Sequence, residues 1–141
     1  MYIAVVDGQG GGLGRAIVER LRAALGSDAE IIALGTNAMA ASVMIKAGAD
    51  EGASGENAIV VNAPKVDFIL GSVAILAADS MLGEITAPMA AAIARSPAKK
   101  ILLPLNRCGI LVAGIKGEPL MQFIDEAAAM VRELALSGRE V

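Results

Sequence analysis

Histidine and tryptophan are absent from this 141-residue chain, and cysteine and tyrosine occur once each, as Cys108 and Tyr2. Each scarcity removes a class of chemistry. Without histidine there is no imidazole base and no example of the commonest metal ligand. The carboxylates are dispersed, so no metal site is expected. A single cysteine excludes an intramolecular disulfide. Aromatic residues make up 2% of the chain against 55% hydrophobic residues, so the core must be aliphatic, which suits a parallel sheet buried on both faces. Neither sign of charge dominates. Twelve Lys and Arg stand against fifteen Asp and Glu, a net charge of -3, and Lys99-Lys100 is the only adjacent basic pair. No electrostatic footprint for nucleic acid or an anionic membrane surface results. The longest apolar stretch, Val66 to Ala78, contains Asp67 and falls short of the roughly 20 residues that cross a bilayer. The chain opens without a basic segment or a cleavage site, so a cytoplasmic location is expected.

What the chain has in abundance is glycine. Five of the sixteen lie in Asp7-Gly8-Gln9-Gly10-Gly11-Gly12-Leu13-Gly14, between the apolar run Tyr2 to Val6 and a helical pattern of Leu13, Ile17, Leu21 and Leu25. A glycine loop between a strand and a helix lets phosphates approach the main chain and aims the N–H groups of the first helical turn at an anion. Further along, Glu30 to Leu34 reads as a strand, with Thr36 or Asn37 capping a helix over Ala38 to Ala47 that ends at Gly48. A short strand fits within Ala49 to Gly55. Glu56 to Asn62 follows, helical in outline, although Ala58-Ile59-Val60-Val61 also fits a strand. Phe68 to Leu70 is a strand, and Thr86 with Pro88 starts a helix that stops before Pro97.

Ile101 to Leu105 reads as a strand joined by the short link Asn106-Arg107-Cys108-Gly109 to Ile110 to Ile115, which predicts a C-terminal antiparallel hairpin. Glu118-Pro119 opens a last helix with an inward face of Leu120, Phe123, Ile124, Ala127, Ala128, Val131 and Leu134. Strands alternating with helices predict an α/β fold, a Rossmann-like doubly wound and mostly parallel sheet closed by that hairpin strand and the C-terminal helix. At 141 residues one domain, 1–141, is the economical division, with no room for a separate substrate domain. A mean hydropathy of +0.62 suggests that a homo-oligomer covers part of the apolar surface.

Three loop chemistries compete for Gly8 to Gly14. The dinucleotide spacing G-x-G-x-x-G fails, since the third position is Leu13 counted from Gly8 and Arg15 counted from Gly10. The spacing G-x-x-x-G-x-G fits through Gly8, Gly12 and Gly14 and resembles the cofactor loop of short-chain dehydrogenases. A variant Walker motif fits poorly, because Arg15 stands where the phosphate lysine belongs and Ala16 where the magnesium-binding hydroxyl belongs. The plain alternative is a tight turn that packs the helix against the sheet. At the end of the second strand, where an acid grips a ribose hydroxyl in NAD proteins, stand Gly35-Thr36-Asn37. Thr36 or Asn37 reaches a ribose or merely caps a helix, and the choice between NAD and NADP stays open. The expected cofactor-binding set is therefore Gly8, Gln9, Gly10, Gly11, Gly12, Leu13, Gly14, Thr36 and Asn37.

Catalytic equipment is thin. Tyr2 has no lysine in the Tyr-x-x-x-Lys relation, which excludes an ordinary short-chain dehydrogenase. Asp7, Ser72, Asp79, Ser80, Glu84, Asn106 and Cys108 fall where strands end over a crevice. Asp79 and Ser80 lead this set, since a carboxylate beside an apolar strand end can be partly desolvated and exchange protons. As an alternative, both are turn or cap residues. Cys108 beside Arg107 is either a lowered-pKa thiol or a small loop residue.

The segments Ile3 to Gly14, Ile32 to Ala38, Gly55 to Asn62 and Ala78 to Thr86 together resemble a bacterial family of short single-domain proteins known as domain of unknown function 3842. The resemblance spans nearly the whole chain and implies a complete protein, while carrying no activity with it. The expected function is binding of a nucleotide or small phosphorylated ligand, NAD or NADP foremost, by a sensor or accessory subunit. A small NAD(P)-dependent oxidoreductase and a ligand-free interaction module are the alternatives.

Overall fold

A computed structural model of the chain describes residues 1–105 and 108–138. Among the described residues five strands form one sheet: β1 (Tyr2–Asp7), β2 (Glu30–Gly35), β3 (Glu51–Ser54), β4 (Phe68–Ser72) and β5 (Lys99–Leu103). Their order is β3-β2-β1-β4-β5, and every neighbouring pair is parallel. Among the described residues five α-helices connect and cover them: α1 (Gly12–Leu25), α2 (Ala38–Ala47), α3 (Glu56–Asn62), α4 (Ala87–Arg95) and α5 (Leu120–Leu136).

The sheet is buried on both faces because alternate residues of each strand feed different cores. Ile3, Val5, Ile31, Ala33, Phe68 and Leu70 point to the side packed by α1 and α5, where Ile17, Leu21, Ile124 and Val131 meet them. Ala4, Val6, Ile32, Leu34 and Ile69 point to the side of α3 and α4, against Ile59, Met89 and Ile93. The chain winds outward from β1 to β3, then crosses by α3 to β4 on the other flank of β1. The strand order thus reverses between β1 and β4. In open parallel sheets the crevice for a ligand lies outside the carboxyl ends of the strands at such a reversal.

Most expected elements are present, including the short strand β3, and Ala58 to Val61 is helical rather than extended. Two expectations fail. β5 covers Lys99–Leu103 instead of Ile101 to Leu105, because Pro104 has no N–H to carry the ladder onward. The antiparallel hairpin does not form: Ile110 to Ile115 is irregular, and all pairings in the sheet are parallel. Positive φ at Cys108, Gly109, Gly114 and Gly117 breaks any extended run there, and Leu111, Val112 and Ile115 lie exposed. An apolar run without a strand to pair with is not a strand.

Candidate functional site

The glycine loop is shaped by two carboxylates. Asp7, the last residue of β1, is buried; its Oδ1 accepts the Gly8 N–H at 2.8 Å and its Oδ2 accepts the Gly14 N–H at 2.7 Å. Gly11, the residue before α1, has no side chain to cap the helix and is left-handed at φ 75°. Asp7 supplies the cap from the strand instead, with a negative charge at the positive end of the helix. The second carboxylate is Glu84. Its Oε1 accepts from the Gln9 N–H at 2.8 Å, the Thr36 hydroxyl at 2.6 Å and the Asn37 amide at 2.9 Å. Those hydrogen bonds, Thr36 first and then Gln9, hold the Glu84 carboxyl below the usual glutamate range.

Glu84 is held from behind. It follows Gly83, whose N–H bonds to Asp79 and Ser80, and precedes Ile85, which is fully buried in the α3/α4 core. Thr86 next to it is the cap of α4, its hydroxyl oxygen accepting the Met89 N–H. Glu84 thus stands on a braced turn. Asn37 in turn caps α2 through its Oδ1, which accepts from Ala40 N at 2.9 Å, and its amide also donates to Gln9 O. The cap reading of Asn37 holds, and Thr36 serves Glu84.

The five glycines separate by cause. A Cβ on Gly8 would lie 2.5 Å from Thr36 Oγ1, one on Gly11 2.9 Å from Ala40 Cα, and one on Gly14 would overlap Met44 and stand 2.9 Å from Asp7 Cβ. Gly10 and Gly12 differ: a Cβ at either meets nothing within 4 Å, and neither has a positive φ. Among the described residues the N–H groups of Gly10, Gly12 and Leu13 take no acceptor. These two glycines and three donors face open space at the start of α1.

Beside the loop, at the carboxyl ends of β1 and β4, lies a cavity of about 570 Å³ lined by Gln9, Ala74, Ala77, Ala78, Asp79, Ser80, Met81, Leu82 and Cys108. Gln9, Asp79, Met81, Leu82 and Cys108 are the non-glycine residues with positive φ among the described residues, and all five line it. Backbone strain of this kind gathers where a surface is shaped for something other than stability. A second cavity of about 510 Å³ opens at the opposite ends of β4 and β5, near Asp67 and Lys99, away from the strand reversal.

The remaining candidates find ordinary employment. Ser80 Oγ donates to Ala74 O at 2.6 Å, and Ser72 Oγ accepts the Ala74 N–H as a cap. Asp79 is exposed rather than desolvated, so the expected burial of its carboxylate is absent; its backbone N–H bonds to Ile85 O. Cys108 is exposed. Asn106 and Arg107 lie outside the described residues. Arg15 pairs with Glu19 on the exposed face of α1. No group of acidic or cysteine side chains among the described residues is arranged to hold a metal ion. The sequence offers Glu84 only as one of several residues over the crevice, and the absence of an acid directly after β2 is the one feature that could have singled it out.

Residues 2–136 match the family described as Domain of unknown function (DUF3842). The chain belongs to this family. The resemblance read from its four segments is thereby borne out. No curated protein matches. Among solved structures, a universal stress protein in complex with cAMP aligns at 23% identity over 72% of this chain and 96% of its own, with a TM-score of 0.39. A nucleoside-diphosphate-sugar epimerase from Pseudomonas aeruginosa aligns at 18% identity over 98% of this chain, with a TM-score of 0.46. The chain spans about half of that epimerase, 49% of its length. Among the described residues no helix is long and apolar enough to cross a membrane.

Proposed function

We propose that residues 1–141 form one nucleotide-binding domain of Rossmann-like type, which holds a nucleotide or phosphorylated ligand, NAD or NADP foremost, at the Gly8 to Gly14 loop. The observation that carries this reading is the pair Gly10 and Gly12. Among the described residues nothing requires a missing side chain at either position, and the adjacent N–H groups of Gly10, Gly12 and Leu13 take no acceptor there. A phosphate fits that description: it needs close backbone approach and N–H donors at a helix N-terminus. The strand reversal and the cavity beside Gln9 support the same place.

The role we favour is a sensor or accessory subunit. The Ser80 hydroxyl is engaged by the Ala74 carbonyl and Asp79 is solvated, so the crevice has little to move protons with. Exposed apolar side chains at Leu111, Val112 and Ile115 support a homo-oligomer as the means of signalling. The test is a thermal-shift and native mass spectrometry panel of NAD, NADP, ATP, coenzyme A and sugar phosphates. A ligand at 100 times its dissociation constant should add about 2.7 kcal/mol of stability. Gly12→Asp, which puts a carboxylate on the phosphate position, should abolish the shift. No response to any of these ligands would refute the reading.

A further inference from the structure

We propose that Glu84 is the ribose-reading residue of this site and selects a nucleotide with free 2′ and 3′ hydroxyls over one bearing a 2′-phosphate. This rests on the nucleotide-binding reading above and names the ligand class within it.

Position comes first. The ribose of a dinucleotide lies between the phosphate loop and the end of the second strand, where an acid accepts its hydroxyls. Here the end of β2 offers Gly35-Thr36-Asn37 and no acid. Glu84 reaches that junction from the turn after β4, with Oε1 bound to Gln9 of the loop and to Thr36 and Asn37 beyond β2. A Cβ on Gly8 would stand 3.1 Å from the same oxygen, so the first loop glycine leaves room for the carboxylate.

Valence and charge come next. Oε1 already takes three donors, whereas Oε2 takes none among the described residues. An ionised carboxylate offers roughly four acceptor positions, so Oε2 remains for a pair of hydroxyls. No lysine or arginine among the described residues pairs with Glu84; the ion pairs present join Arg15 to Glu19, Arg20 to Asp125 and Arg22 to Asp50. A 2′-phosphate placed there would meet a like charge, with no cation among the described residues paired to Glu84 to offset it. Neutral hydroxyls would meet an acceptor fixed beforehand by the bracing of Ile85 and Thr86.

Calorimetric titration of the full chain with ADP-ribose and with its 2′-phosphorylated form tests the assignment. The unmodified chain should bind ADP-ribose on the order of 100-fold more tightly. Glu84→Gln keeps a carbonyl for the three donors while removing the charge, and should bring the ratio close to one. Glu84→Ala uncovers the Gln9, Thr36 and Asn37 donors for the phosphate and should reverse the preference; if that variant is unfolded by circular dichroism, the glutamine variant decides. Equal affinities in the unmodified chain, or a ratio unmoved by Glu84→Gln, would overturn the role of Glu84 and leave the nucleotide site standing. Failure of both ligands to bind either the unmodified chain or Glu84→Gln would also overturn the assignment of Glu84, whereas the nucleotide reading itself falls only if no ligand of the wider panel gives a thermal shift.

Discussion

Gly12 and Gly14 lie two residues apart in the first turn of α1, yet replacing each by alanine is expected to move stability in opposite directions. At Gly14 a Cβ would overlap Met44, which is fully buried, and come within 2.9 Å of Asp7 Cβ. Overpacking of this kind costs about 1 to 3 kcal/mol. Backing α1 away to relieve it lengthens the 2.7 Å bond from Gly14 N–H to the Asp7 carboxylate, a charge-assisted bond worth about 1.5 to 3 kcal/mol. Alanine is the better helix former by about 1 kcal/mol, which offsets only part of these losses. The net expectation for Gly14→Ala is a loss of about 1 to 3 kcal/mol. At Gly12 a Cβ meets open space at an ordinary φ, so Gly12→Ala should gain about 0.4 to 1 kcal/mol by restricting the unfolded chain.

Urea unfolding followed by far-ultraviolet circular dichroism measures both, since the chain has no tryptophan to report by fluorescence. With about 3 °C of Tm per kcal/mol for a domain of this size, Gly14→Ala should melt roughly 3 to 9 °C lower. Gly12→Ala should melt roughly 1 to 3 °C higher. A destabilised Gly12→Ala would show that the fold itself needs a bare backbone there, and the separation between packing glycines and ligand glycines would collapse. So would a neutral Gly14→Ala.

Three further outcomes are expected. Leu82 is 96% exposed at φ 57°, so Leu82→Gly should relieve about 1 to 2 kcal/mol of left-handed strain, offset by about 0.4 to 1 kcal/mol for the looser unfolded chain, and leave stability unchanged or slightly raised; a melting temperature lower by more than about 3 °C would mean the side chain is covered in solution. Arg22 donates to Gly26 O, Ala29 O, Gly48 O and Asp50 Oδ2, and Arg22→Lys should lose about 1.5 to 3 kcal/mol because an ammonium cannot span this fork; a change under 0.5 kcal/mol in urea would dismiss the tie. The Asp50 carboxyl is lowered by the Ile31 N–H and then Arg22, and Glu84 by Thr36 and then Gln9. Depressed carboxyls stabilise above their unfolded pKa, so stability should fall as pH drops below about 4, and Asp50→Asn with Glu84→Gln should flatten that limb in acid titrations.

The layout of strands and helices was legible because local and global preferences agree in this chain. Val5, Ile31 and Leu34 sit in short runs bounded by glycine, and Leu21 and Leu25 recur at helical spacing, so each element announces itself. The hairpin was misread for the same reason in reverse. Ile110 to Ile115 has the composition of a strand, but pairing is a tertiary property, and left-handed backbone at Gly109 and Gly114 denies it the geometry. Pro104 could have shortened the expected β5 in advance, since a residue without an N–H ends a ladder. The glycine loop was legible as a loop. Its division of labour was not, because the reason for Gly8 is a hydroxyl 28 residues onward and the reason for Gly14 is Met44, contacts that no spacing encodes.

The arrival of Glu84 from beyond β4, instead of from β2, follows from how the chain is wound. β1 is central, with β2 on one flank and β4 on the other, so the turns after β2 and β4 meet above the end of β1. A polar group placed on either turn reaches the same point. In this chain the turn after β2 is spent on capping α2 through Asn37, with Gly35 held bare because a Cβ would lie 2.7 Å from Ala41 N. That close approach leaves no room for an acid at Gly35, and a longer side chain at Asn37 would forfeit the cap. The turn after β4 is longer, runs from Ala77 to Thr86 before α4 begins, and is braced by buried Ile85. It can hold a carboxylate rigidly over the junction, which is why the search for an acid in such a fold should cover both flanks of the central strand.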